Sequence, residues 1–211
     1  EALGKIREAE MLAAGKALGL SEVTFLDYID GELDEADTLE ITARLSKEIR
    51  RIRPQVVVTF PLDGAYGHPD HVAISQFALG AIVHASSPRP QRGGLPPHQV
   101  QKFYYSAWDR DDMDQSEAIC GDLIFEVDGA ERASVAWEPW VLTTEIDTAD
   151  YWETVEAAVA CHQSQLQTIP GILELGSPIK RTLWSVYKFV RVFSLVNGGR
   201  KLETDLFTGL R

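Results

Sequence analysis

Gln55-Val56-Val57-Val58-Thr59-Phe60 (QVVVTF) is a continuous apolar run of strand length, the mark of a β-strand buried on both faces. Pro54 stands before it and closes an amphipathic helix expected from Thr38 to Arg53, with Leu39, Ile41, Leu45, Ile49 and Ile52 on its apolar side. Pro61–Gly67 follows as a loop, and a further helix is expected from Pro69 to Ala85. Toward the N-terminus, Leu3, Ile6, Met11, Ala14 and Leu18 fall at helical spacing, and Gly19 stops that helix. Val23–Tyr28, β-branched and aromatic, reads as another strand. Helix, strand, helix, strand is the rhythm of an α/β fold with a mostly parallel sheet. Ligands of such sheets sit beyond the carboxyl ends of the strands, so the loop after QVVVTF is the first place to look for chemistry.

Beyond the third helix, Ser86–His98 carries Pro88, Pro90, Pro96, Pro97, Gly93 and Gly94 and must be a loop, either a lid or an exposed linker. Lys102–Ala107 (KFYYSA) reads as a strand and Asp109–Asp114 as an acidic turn. Leu123–Val127 and Val141–Ile146 are expected as strands, in a hairpin or an edge extension, and Ala149–Gln165 as a helix. From Ser177 to Arg211 two patterns compete: Ile179, Leu183, Val186 and Val190 fit a helix, whereas KFVRVFSLV fits a strand.

A length of 211 residues predicts one domain spanning 1–211, large enough to bury its own core. Twenty Lys and Arg against 32 Asp and Glu give a net charge of −12, which argues against a nucleic-acid partner or an anionic membrane surface. No apolar run reaches the length of a membrane span. Cys120 and Cys161 have neither disulfide-framework nor zinc-ligand spacing and are expected as free thiols in a reducing, cytoplasmic compartment. No G-x-G-x-x-G follows a strand, so dinucleotide binding is unsupported.

Five histidines are present, and two of them fall in Tyr66-Gly67-His68-Pro69-Asp70-His71. Gly67 permits a tight turn, Pro69 suits the first helical position, and Asp70 suits the positive end of the helix dipole. His68 then caps the helix and His71 lies on its first turn, where both imidazoles can face the strand-end crevice. Histidines so placed can hold a metal or move protons; the plainer alternative is a pair of solvent-facing cap residues.

The string VVVTFPLDGAYGHPDHVA (Val56–Ala73) resembles the second signature of the LmbE-like, or PIG-L, N-acetylglucosaminyl deacetylases, zinc-dependent hydrolases with a Rossmann-like fold. Arg7-x-x-Glu10 with Leu18-Gly19 is similar to the family's R-x-x-E…L-G helix, Asp30-Gly31 to its acidic turn, and Ala160-Cys161-His162-Gln163-Ser164-Gln165 to its late H-x-S-Q helix. The resemblance implies a three-layer α/β sandwich acting on a small N-acetylated sugar or glycoconjugate. It casts His71 as a Zn2+ ligand and His68 as the group that stabilises the oxyanion or protonates the leaving amine. Asp70 becomes the carboxylate that orients His68 and holds it cationic, and Tyr66 a donor to the same oxyanion. The family's first signature, H-P-D-D-E, supplies further zinc ligands and the general base, and it is absent here. The chain, opening at Glu1 on residues that read as helix interior, is therefore expected to be an N-terminally shortened piece lacking its first strand or strands and inactive alone.

Arg7 could bind sugar hydroxyls or be a solvated or Glu10-paired helix charge. Asp30 could accept bonds from sugar hydroxyls or be an ordinary turn residue. His162 reads as a structural histidine, and His84 and His98 as surface residues. Besides deacetylation, two readings stay open: a related metal-dependent amidase on a thiol or glycoside conjugate, and a non-catalytic sugar-binding module. A homo-oligomer is compatible with all three.

Overall fold

The computed structural model describes residues 2–89, 94–166 and 171–211; positions 90–93 of the Pro-rich segment lie outside them. The chain divides into two compact units, the first made of Glu1–Asp27, Asp114–Asp122 and Asp147–Tyr187, the second of Tyr28–Met113, Leu123–Ile146 and Lys188–Arg211.

The second unit holds the sheet apart from Asp147, Val186 and Tyr187 at strand ends. Strands β1 (Val56–Thr59), β2 (Lys102–Ala107), β5 (Thr144–Asp147) and β6 (Val186–Ser194) form it in the order β1-β2-β6-β5. β1 and β2 run parallel, as the helical crossover between them requires, whereas β2 and β6 are antiparallel. The α/β class holds, with a mixed sheet. Helices α2 (Thr38–Ile52) and α4 (Pro69–Ser86) pack on one face of it. The core there joins Ile49 of α2, Val57 of β1, Ala78, Leu79 and Ile82 of α4, Phe103 and Tyr105 of β2, and Val190 and Phe193 of β6. Because strand side chains alternate, Lys102 and Tyr104 lie on the opposite face, where they meet the C-terminal segment through Glu203.

Arg50 of α2 is 2 % exposed. Its Nε donates to the Ala85 carbonyl, Nη1 to that of Leu95, and Nη2 to those of His84 and Ser87, at 2.7–3.3 Å. One guanidinium thus satisfies the orphan carbonyls at the end of α4 and ties down the Pro-rich loop. Arg50→Leu is expected to lower the unfolding free energy by about 3 kcal/mol, since four hydrogen bonds from one buried guanidinium are lost at once. An unchanged urea midpoint would rule this out.

In the first unit, α1 (Ala2–Ala17) packs with α6 (Trp152–Val159), and α6 with α7 (Ser177–Leu183). Glu10 of α1 accepts hydrogen bonds from the backbone N–H and hydroxyl of Ser164, at 2.7 and 2.6 Å. The R-x-x-E and H-x-S-Q segments are thereby joined, and the Ser164 bonds hold the Glu10 carboxyl below the ordinary carboxylate range.

Several expectations are corrected. QVVVTF is not buried on both faces: β1 is an edge strand, and Val58 and Phe60 are 42 % and 39 % exposed. Val23–Tyr28 forms no strand among the described residues, and Asp27 within it has φ +60°. Asp109–Asp114 is no turn but leads into α5 (Arg110–Cys120), because Asp109 and Asp112 each accept the other's backbone N–H at 3.0 Å in a reciprocal cap. The hairpin partner of β3 (Ile124–Val127) is β4 (Ala130–Ala133), while β5 joins the main sheet. The helix expected to reach Gln165 stops at Val159. In the tail both patterns are used in turn, helix for Ser177–Leu183 and strand from Val186. Leu39 and Ile52 face outward at 82 % and 55 % exposure, off the apolar stripe of α2.

Candidate active site

The segment after β1 concentrates positive-φ backbone, at Gly64, Ala65 and Gly67. Asp63 caps a single helical turn, α3 (Gly64–Gly67), accepting from the Ala65 N–H at 2.9 Å. Gly64 and Gly67 have φ of +67° and +76°, and between them Ala65 adopts φ +69°, ψ −48°. A non-glycine residue in that region costs on the order of 1–3 kcal/mol and persists where its surroundings hold it, a pattern common at functional sites.

His68 is the N-cap of α4, and its ring Nδ1 accepts the backbone N–H of Asp70 at 3.1 Å. A nitrogen that accepts carries no proton, so the ring hydrogen sits on Nε2. His71, one turn on, places Nδ1 3.1 Å from the Gly64 carbonyl. A carbonyl can only accept; Nδ1 of His71 is therefore the protonated nitrogen and Nε2 keeps its lone pair. The His71 ring is stacked between Phe60, at a centroid separation of 3.8 Å, and His68, at 4.7 Å. Burial pushes its pKa below the ordinary value against the Gly64 hydrogen bond, with His68 adding to the depression, so the imidazole is neutral at pH 7.

Tyr66 sets its ring edge-on to both histidines, 5.9 Å from His68 and 5.3 Å from His71, and leans on Phe125 of β3 at 4.5 Å. Burial, and then the negative charge of Asp30, raise its pKa, so the phenol remains a donor across the neutral range. Asp30 is exposed and close enough to act electrostatically on Tyr66 and His71.

Asp70 differs from expectation. Its carboxylate is turned to the Asp30-Gly31 turn: Oδ2 accepts the Gly31 N–H at 2.7 Å and Oδ1 the Leu33 N–H at 3.0 Å. Only its backbone N–H reaches His68. Asp70, 8 % exposed, fastens the Asp30-Gly31 turn against the start of α4. The physical reason is tertiary: the Asp30-Gly31 turn, folded against the start of α4, brings one backbone donor to each carboxylate oxygen.

Tyr66, His68, Asp70, His71 and Asp30 thus gather in the second unit; Arg7 lies on α1, in the first. Three residues escaped sequence reasoning. Trp137 Nε1 donates to Asp63 at 3.0 Å, Arg132 Nη1 to the Gly67 carbonyl at 2.7 Å, and Phe60 stacks on His71. Asp63-Gly64 carries a turn signal, but nothing local marks residues 65 and 74 positions further along the chain.

His71, with its tautomer fixed and Nε2 unprotonated, suits a metal ligand. Among the described residues, however, no group of three His, Cys, Asp or Glu is placed to hold a metal ion. The described donors are thus fewer than the three that a catalytic zinc takes. No described helix is long and apolar enough to cross a membrane.

Residues 1–82 match the family PIG-L, GlcNAc-PI de-N-acetylase. The chain is 32% identical over its whole length to 1D-myo-inositol 2-acetamido-2-deoxy-alpha-D-glucopyranoside deacetylase of Streptomyces avermitilis, covering 78% of that protein. With the enzyme of the same name from Streptomyces griseus it shares 33% identity, covering 71%. Among solved structures, the conserved protein TT1542 from Thermus thermophilus superposes with a TM-score of 0.61 at 24% identity, over 92% of this chain and 76% of that one. GalB, the 4-carboxy-2-hydroxymuconate hydratase from Pseudomonas putida, gives 0.55 at 19%, over 92% and 74%. A hydratase on the same fold means that the architecture alone does not choose the reaction.

Proposed function

The chain belongs to the PIG-L family of de-N-acetylases, and from that premise we propose that it releases acetate from the 2-acetamido group of a small N-acetylglucosaminyl conjugate by amide hydrolysis. The observation that carries this reading is the pair of stacked imidazoles with opposite tautomers at the end of β1, His71 offering a bare Nε2 and His68 an Nε2–H. Their division of labour follows. His68 donates its Nε2–H to the oxygen on which negative charge develops, and the Asp70 N–H on its other nitrogen keeps that tautomer. Protonating the leaving amine from the same ring would first require its imidazolium form, which breaks the Asp70 bond; hydrogen-bond donation is thus the role the geometry favours. Tyr66 keeps its proton and is a second donor to that oxygen. Asp30 accepts from sugar hydroxyls.

Zn2+ is the proposed cofactor, with His71 as one ligand; when bound, such an ion polarises an amide carbonyl and lowers the pKa of a water to about 7.

The substrate class follows the Streptomyces relatives, named for a glucosaminyl-inositol acetamide. The test is acetate release by the full-length protein from that compound and from an analogue bearing a larger acyl group. Release from the acetamide, lost with chelator and restored by Zn2+, is expected. Turnover of the bulkier amide alone would reassign the protein to another amidase, and full activity in metal-free protein would end the zinc reading.

A further inference from the structure

Three hydrogen bonds tie the strained loop to the segment that starts in β4. Arg132 Nη1 donates to the Gly67 carbonyl at 2.7 Å, the Val135 N–H to the Ala65 carbonyl at 3.1 Å, and Trp137 Nε1 to Asp63 at 3.0 Å. Together they span the stretch that holds both positive-φ glycines and Ala65. The Arg132 bond lies nearest to the chemistry. The carbonyl it takes belongs to the peptide whose nitrogen is that of His68, so fixing its plane limits the torsions that set the His68 ring. The same approach accounts for Gly67: a Cβ there would come within 3.3 Å of Nη1, on a backbone whose φ of +76° already disfavours a side chain. The Arg132 Nε is buried with no hydrogen-bond partner among the described residues, and Nη1 makes the bond to the loop.

We propose that Arg132 is a positioning residue for His68, acting through the Gly67–His68 peptide. The inference rests on reading this loop as catalytic, but its effect on geometry can be measured without turnover. A lysine ammonium can replace a single bond to the Gly67 carbonyl, and a neutral amide too short to reach cannot. In the full-length protein, Arg132→Gln is expected to lower kcat about thirtyfold with KM within about twofold, since a misplaced donor costs in the transition state. Arg132→Lys recovers kcat to within about threefold of the unaltered protein. By amide hydrogen exchange, Arg132→Gln speeds exchange at Asp70, whose N–H bonds His68, by about tenfold or more, while Lys102–Ala107 of β2 stay protected. A KM rise with kcat preserved would overturn the proposal in favour of direct substrate contact. Faster exchange throughout β2 would overturn it in favour of a general stability role, and unchanged exchange at Asp70 would overturn it outright. If the protein releases no acetate at all, the proposed function fails while the exchange at Asp70 still decides the role of Arg132.

Discussion

Replacing His71 with alanine in the full-length protein is expected to lower kcat/KM for acetate release by about 1,000-fold or more, about 4 kcal/mol of transition-state stabilisation. The argument is geometric. The Gly64 carbonyl fixes which nitrogen bears the proton, Phe60 and His68 fix the ring plane, and burial keeps the ring neutral. No other described imidazole joins an unprotonated nitrogen to that degree of restraint in this loop. His68→Ala should differ in kind. On the proposed roles it removes one donor from the developing oxyanion and no metal ligand, so kcat is expected to fall by about 100-fold or more with zinc binding retained. Metal analysis of the two variants separates the roles. Loss of zinc from His68→Ala with retention in His71→Ala would reverse the assignment.

Glu203→Gln should destabilise the protein by about 3–5 kcal/mol at pH 7, the cost of leaving a buried cation without its counter-charge. Lys102 is fully buried, and its ammonium donates to Glu203 Oε1 at 2.7 Å and to the Thr208 carbonyl at 3.0 Å. Arg191 lies 2.9 Å from the same carboxylate oxygen, and Tyr104 and Thr144 donate to the other at 2.7 and 3.0 Å. Burial alone would raise the carboxyl, but the bonds from Lys102, Asn197, Tyr104 and Thr144 outweigh it and bring the pKa to about 2. A group whose pKa falls on folding stabilises the fold above its unfolded value, near 4.5, and loses that contribution as pH drops through its folded value. Between those limits the unaltered protein should lose about 3 kcal/mol that the Glu203→Gln variant no longer has to lose. Replacing Lys102 and Glu203 together by Met and Leu should recover only the part of the loss due to Lys102, since Arg191 still loses its counter-charge. Matching urea midpoints for Glu203→Gln and the unaltered protein at pH 7 would refute this account.

The Glu203 cluster also shows where sequence reading ran out. Lys102 sits in KFYYSA, whose strand was legible, yet nothing in that stretch announces that its lysine is buried against a glutamate 101 positions away. The same limit hid Arg132 and Trp137, which reach the loop after β1 from beyond the Pro-rich segment. It also misdirected the reading of Asp70, since which donors a carboxylate meets depends on how a neighbouring turn is folded against it. Asp109–Asp114 failed for the opposite reason. The signal was local but reciprocal, two aspartates capping each other's backbone, and an acidic run reads as a turn unless that pairing is noticed.

Periodicity and punctuation sufficed for α1, α2, α4, β1 and β2, and Gly67-His68-Pro69 placed a histidine at a helix cap, because each depends on interactions within a few residues. Strand pairing, the edge position of β1, the proton-bearing nitrogen of each imidazole and the carboxylate's partners were settled only by tertiary structure. Those outcomes are set by which distant donor or acceptor arrives at a given atom, and that follows from packing of the whole unit rather than from local sequence.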